Sequence, residues 1–189
     1  MTRVANRVVK GTEDAQRMVR EAHRILLRHD GDKSKAFELL LQADKLKSVE
    51  AAYALGSWYI YGFHVERDFS KAVYFLKRAM KRGSGDAAYD LAICLERGNG
   101  ISKNKIEAFR CYTYAALQLL TPPSYPSMYN FGEAAAQLAR RYYYGIGTPP
   151  DRKISQLWSN LSHSHAATIG SRRAKRLGTG LVKRRSRAR

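Results

Sequence analysis

The stretch that decides the fold is Ala51-Ala-Tyr-Ala-Leu-Gly56-Ser-Trp-Tyr-Ile-Tyr-Gly62, followed after five residues by Asp68-Phe-Ser-Lys-Ala-Val-Tyr-Phe75-Leu-Lys-Arg-Ala79. Its first half places Ala52, Leu55, Gly56 and Tyr59 at the i, i+3, i+4, i+7 spacing of one buried helical stripe. Gly62 suits the left-handed residue that ends a helix, and Asp68 is a good N-cap for a second one. A glycine stop followed by a capping start predicts a helix–turn–helix hairpin.

The same text recurs. At a shift of 36 residues, Ala52, Tyr53, Leu55, Gly62, Ala72 and Ala79 fall on Ala88, Tyr89, Leu91, Gly98, Ala108 and Ala115, and Asp68 falls on Asn104. At a shift of 83, Ala52, Leu55, Tyr59, Tyr61, Gly62 and Asp68 fall on Ala135, Leu138, Tyr142, Tyr144, Gly145 and Asp151, and Phe75 falls on Trp158. The second and third copies are separated by eleven extra residues around Thr121-Pro-Pro-Ser-Tyr-Pro126, where three prolines forbid a continuous helix. Upstream, Asp32, Ala36, Leu39 and Ala43 form a looser copy whose first helix runs from about Glu13 to Arg28. Asn104 with Glu107 has the spacing of a capping box, and the acids Glu50, Asp86 and Glu133 open the first helices, where they meet the positive end of the helix dipole.

A repeat of this period predicts an all-α solenoid of about four hairpins, because each hairpin buries its apolar stripes only against its neighbours. The hairpins are placed at about 13–46, 50–82, 86–118 and 133–167, with the proline-containing insertion at about 119–132. Residues 1–12 read as a flexible N-terminus and 171–189 as a disordered basic tail. No run approaches the roughly 20 apolar residues that span a bilayer. Met1–Gly11 has no apolar stretch of signal-peptide length, and its lack of acids leaves only a weak case for an organellar presequence.

These copies resemble the Sel-one-like repeat, whose pattern of Ala-x-Tyr-x-Leu-Gly, a double glycine, then Asp-x-x-Lys-Ala they follow. The double glycine stands as Gly98-Asn-Gly100 and Gly145-Ile-Gly147, while His64 replaces its second member in the first copy, and Ile154-Ser155 stands where Lys-Ala is usual. The resemblance implies a right-handed α–α superhelix related to tetratricopeptide arrays and a role as an adaptor in protein complexes. Some secreted relatives resemble penicillin-recognising hydrolases and carry a cysteine pair between one repeat's end and the next repeat's start. Here Cys94 aligns with Trp58 and Cys111 with Phe75, so that branch loses support.

Cys94 and Cys111 stand about equally far before and after their hairpin turn, and are either a disulfide or redox pair or two small core residues. Two cysteines are too few for a secreted disulfide scaffold, which favours a reducing cytoplasmic compartment. In a nucleated cell the basic tail at 171–189 would also read as a nuclear localisation signal. His163 and His165 are two apart, the wrong spacing for two ligands on one helix face, so no metal is expected. No nucleophile elbow, phosphate loop or carboxylate pair is present, so neither catalysis nor a cofactor is expected.

The face opposite the buried stripe yields three columns across the repeats: Ala54–Asp90–Gln137, Ser57–Ile93–Arg140 and Tyr61–Arg97–Tyr144. Tyr61, Arg97, Arg140 and Tyr144 are residue types that dominate binding hot spots, although tyrosines near a turn also pack on the neighbouring hairpin. Arg141, the equivalent of Trp58, is expected to stay out of the core and join them.

The chain carries 34 Lys and Arg against 16 Asp and Glu, a formal charge of +18. Half of that excess lies in the last 19 residues, which hold Arg172, Arg173, Lys175, Arg176, Lys183, Arg184, Arg185, Arg187 and Arg189 and no acid. The expected partner is therefore an acidic protein bound along the first helices. The rival is RNA or DNA held non-specifically by the tail. No aromatic residue interleaves with the tail's charges, so it gives no support for stacking recognition of single strands.

Overall fold

A computed structural model describes residues 2–28, 30–120 and 131–165, with side chains from residue 11 onward. It is all-α. The elements are α1 (Thr2–Leu26), α2 (Lys33–Lys45), α3 (Val49–Tyr61), α4 (Phe69–Lys81), α5 (Gly85–Arg97), α6 (Lys105–Leu119), α7 (Phe131–Tyr144) and α8 (152–165). Odd and even helices pair as hairpins, and α2, α4 and α6 also pack on the first helix of the following hairpin. The result is the stacked array that the repeat predicts. The proline-containing insertion at 121–130 and the tail from Ser171 lie outside the described residues.

The termini of the helices follow the expected chemistry. Asp32, Asp68, Asn104 and Asp151 each accept from a backbone N–H two or three residues on, at 2.9–3.1 Å, satisfying donors the helix itself cannot. Gly62 and Gly98 close α3 and α5 with φ of 70° and 79°. Ser48 and Ser84 cap α3 and α5, a role that sequence reasoning missed by looking only at the acids that follow them. Half of the capping box forms: Asn104 accepts from the Glu107 N–H, while the Glu107 carboxylate pairs with Arg110 at 3.3 Å. At the N-terminus, α1 begins at Thr2, well before the position near Glu13 that periodicity suggests, and ends at Leu26.

Small residues set the spacing within hairpins. Ala52, Ala72 and Ala79 are fully buried, as are Ala88 and Ala115, with Ala108 nearly so. A Cβ on Gly56 would lie 2.9 Å from the Leu76 side chain, so the α3–α4 contact admits nothing larger there without a shift. The fourth hairpin replaces two of these alanines by Ser155 and Ser162. Their hydroxyls donate to the carbonyls of Ala139 and Gly132 at 2.8 Å, so the substitution keeps the volume and satisfies the added polar group.

Larger residues fill the remaining space differently in each hairpin. Trp58 is buried and stacks with Phe37, and Tyr59 stacks with Phe75. The equivalents of Trp58 and Phe75 in the third hairpin are Cys94 and Cys111, both free, buried thiols, so the core-residue alternative describes them. Burial pushes both thiols up to about 11, which keeps them protonated and unreactive near neutrality.

The third equivalent of Trp58 corrects an expectation. Arg141 is only 2% exposed. Its guanidinium lies 3.6 Å from the Tyr112 ring centroid and makes a close ion pair with Glu96. It also donates to the backbone and side-chain oxygens of Gln137 at 2.8 and 2.7 Å, and Tyr112 donates to Glu96 at 3.2 Å. A buried arginine is tolerable when its charge is paired and most of its donors are used, as here for both terminal nitrogens though not for Nε. A similar tie joins the first two hairpins: Asp44 of α2 is buried and receives Arg78 of α4 at 2.9 Å and Arg82, the residue that caps α4, at 2.7 Å.

The second glycine of each turn leans on the preceding hairpin. Gly100 has φ 66°, and a Cβ there would fall 2.3 Å from the Phe69 backbone at the start of α4; at Gly147 it would meet the Lys105 carbonyl at 2.1 Å. His64 takes this place in the first copy, with φ 63°, and sets its ring edge against Trp58 at 5.0 Å. The following stability changes are expected in urea unfolding followed by circular dichroism. Gly100→Ala should cost about 2–5 kcal/mol, from left-handed strain plus overpacking, whereas His64→Gly should be neutral or stabilising. Glu96→Ala, which strands the buried Arg141 charge, should cost roughly 3 kcal/mol, and Arg141→Met less than that.

Candidate functional site

The ends of the first helices next to the turns carry the exposed polar and aromatic groups. Tyr61, the last residue of α3, is 46% exposed, with Phe63 beside it at 5.4 Å between ring centroids. Arg97 closes α5 and is exposed. Arg140 is exposed on α7, and Tyr144, its last residue, is 67% exposed. The helix period explains this. Each residue lies on the side away from the apolar stripe, and the left-handed glycine that follows Tyr61 and Arg97 turns the chain away from them.

Of these, Arg140 and Tyr144 are brought together. With Tyr143 they line a hollow of about 310 Å³ against Ser155, Gln156 and Ser159 of α8. Tyr143 and Tyr144 meet edge to face at 4.8 Å, and Arg152 lies over the Tyr143 ring at 5.1 Å. Tyr61 and Arg97 stand on other repeats, two hairpins and one hairpin respectively from the hollow's α7. Phe63, Tyr143 and Arg152 extend the surface beyond the expected columns. The run Tyr142-Tyr-Tyr144 and the phenylalanine directly after Gly62 were the signals available for finding them.

The middle of the first helices is less open than the columns suggest. Asp90 is buried, as is Asp86 one turn earlier on α5. Tyr53 of α3 is buried nearby, and its phenol is pushed far above the usual range, first by burial and then by the charges of Asp90 and Asp86. Ile93 packs against the core. The accessible part of the face is thus concentrated at its turn-proximal edge, and Arg141, being buried, does not belong to it.

His163 Nδ1 lies 2.7 Å from the Ser159 carbonyl, His165 packs on the Phe131 ring, and no group of three or more His, Cys, Asp or Glu placed to hold a metal ion occurs among the described residues. No described helix is long and apolar enough to cross a membrane. The tail cations from Arg172 to Arg187 lie outside the described residues.

The family model of the Sel1 repeat matches residues 27–43, 49–84, 85–118 and 132–161, well over half of the chain. DAP3-binding cell death enhancer 1 of Mus musculus is 34% identical over 87 residues, 46% of this chain and 17% of that protein; its Rattus norvegicus counterpart is 33% identical over the same shares. The matched segment is thus a small part of these relatives' length. Among solved structures, a protective antigen of uropathogenic Escherichia coli with an SLR fold aligns with a TM-score of 0.71 at 21% identity, covering 85% of this chain and 33% of that one. A Sel1 repeat protein from Oxalobacter formigenes aligns at 0.68 and 20% identity, covering 79% and 58%. At such identities these two likenesses speak for the fold alone. Four matched repeats on four stacked hairpins lead to one conclusion: the chain belongs to the Sel1 repeat family.

Proposed function

We infer that this protein is an adaptor that binds an acidic protein segment along the turn-proximal edge of its first helices, through Tyr61, Arg97, Arg140 and Tyr144. The observation that carries this reading is the exposure of arginine and tyrosine at corresponding edges of three successive hairpins. Arginine pairs with carboxylates through a planar fork of donors, and tyrosine offers a large, rigid contact area at low entropic cost. Sel1 repeats generally serve protein–protein interaction, and the mammalian relatives are named for binding another protein. The net charge of +18 favours an acidic partner and speeds its encounter by long-range attraction. The hollow beside Arg140 and Tyr144 is an entry point for one side chain of that partner.

Charge reversal tests the surface without touching the core. Arg97→Glu with Arg140→Glu should remove the protein partners captured from nuclease-treated lysate while leaving the helical circular dichroism unchanged. Retained capture would place the partner surface elsewhere. Deleting residues 171–189 discriminates the rival reading. Partner capture should persist, whereas binding to generic RNA or DNA should collapse and, in the full chain, weaken steeply with salt. Loss of the protein partner upon that deletion would move the interaction to the tail.

A further inference from the structure

A second recess lies in the cleft between α4 and the start of α6, with α5 as its floor. It measures about 620 Å³, within the range of sites that take a small ligand or a large side chain. Met80, Leu91, Leu95 and Ile101 form its apolar wall. The exposed cations Lys77 and Lys81, one turn apart on α4, stand at its mouth, as does Lys103 from the α5–α6 turn. The Lys103 stem lies close along Gly98: a Cβ there would sit 2.9 Å from its Cγ, which anchors the side chain across the turn. The single acid at the rim, Glu107, is paired with Arg110.

Comparison of the repeats explains the space. At the position of Leu95, the second hairpin has Tyr59, whose ring stacks on Phe75, and the fourth has Tyr142, whose ring meets Phe109 edge to face. At the position of Phe75, the third hairpin has Cys111, and the fourth has Trp158. The third hairpin therefore lacks both aromatic rings, and Leu95, which stands in place of the tyrosine, lies on the wall of the cleft next to three lysines.

We propose that this cleft is a second docking site, which receives an aromatic side chain of an acidic peptide segment into the space that Tyr59 and Tyr142 fill in their own hairpins. The ring supplies the missing aromatic packing against Leu91 and Leu95, and carboxylates flanking it meet Lys77, Lys81 and Lys103. The site shares no residue with the edge formed by Tyr61, Arg97, Arg140 and Tyr144.

The probe is the blocked peptide Glu-Glu-Tyr-Glu-Glu, titrated into the full chain with methyl-labelled Met, Leu and Ile and followed by carbon–proton correlation spectra. Saturable shifts are expected at Met80, Leu91, Leu95 and Ile101, with little change for Glu-Glu-Gly-Glu-Glu. Leu95→Tyr, which refills the space as the siblings do, should abolish the shifts. Lys77→Glu with Lys81→Glu, which leaves the core intact and decides the matter if the tyrosine variant misfolds, should weaken binding at least tenfold. The Arg97→Glu, Arg140→Glu pair should leave it unchanged, so failure here and failure of the adaptor surface are separable. Equal response to the glycine peptide, persistence of binding in both cleft variants, or preferential occupancy by a single-stranded DNA oligonucleotide of matched charge would each overturn the proposal.

Discussion

The close approach of two helices across a line of alanine and glycine is the constraint on which the rest of this structure depends. Ala52, Gly56, Ala72 and Ala79 bring α3 and α4 together, and Ala88, Ala108 and Ala115 do the same for α5 and α6. Interiors pack at near-crystalline density, so a methyl group more on this line would drive the helices apart. Ser155 and Ser162 show the limit of what the line accepts: one oxygen more, provided it finds a carbonyl on the facing helix.

With the backbone separation fixed, the larger positions are free to vary, and they do so as sets. Trp58 with Phe75 makes an aromatic core, Cys94 with Cys111 a small one, and Arg141 with Trp158 a polar and aromatic one. Each set is compatible with one hairpin geometry because neighbours compensate. Tyr112, buried on the same helix as Cys111, meets the Tyr89 ring edge to face and also presents its ring to Arg141. The cleft beside Leu95 is where compensation is incomplete.

The periodic part of this architecture was legible in the sequence because its causes are local. A left-handed glycine, an Asp or Asn cap three residues before a helical turn, and an apolar stripe at helical spacing each act over a few residues, and Gly62, Asp68 and Leu55 could be placed from them. The Ser48 and Ser84 caps use the same chemistry and were open to the same reading. Arg141 was not legible, because what permits its burial comes from 45 and 29 residues away, in Glu96 and Tyr112. Asp90 belongs with it: the helical period puts it on the outward face, and only the approach of neighbouring hairpins buries it. At the candidate site the exposure of Tyr61, Arg97, Arg140 and Tyr144 followed from period alone. The pairing of Arg140 with Tyr143 and Tyr144 around a hollow depends on where α8 lies, which no local signal reports.

The inter-hairpin ion pairs made by Arg78, Arg82 and Arg141 have a consequence for how the array melts. In a one-dimensional stack the outer units have a neighbour on one side only, so they fray first and set the width of the transition. Arg82 bonds both the Asp44 carboxylate of α2 and the Ser48 carbonyl between α2 and α3, and Arg141 bonds Glu96 across the third and fourth hairpins. These links fall at the two outer junctions of the described array. They couple each outer hairpin to an inner one, raising the nearest-neighbour term where the stack has least to lean on and favouring concerted unfolding over peeling from the ends.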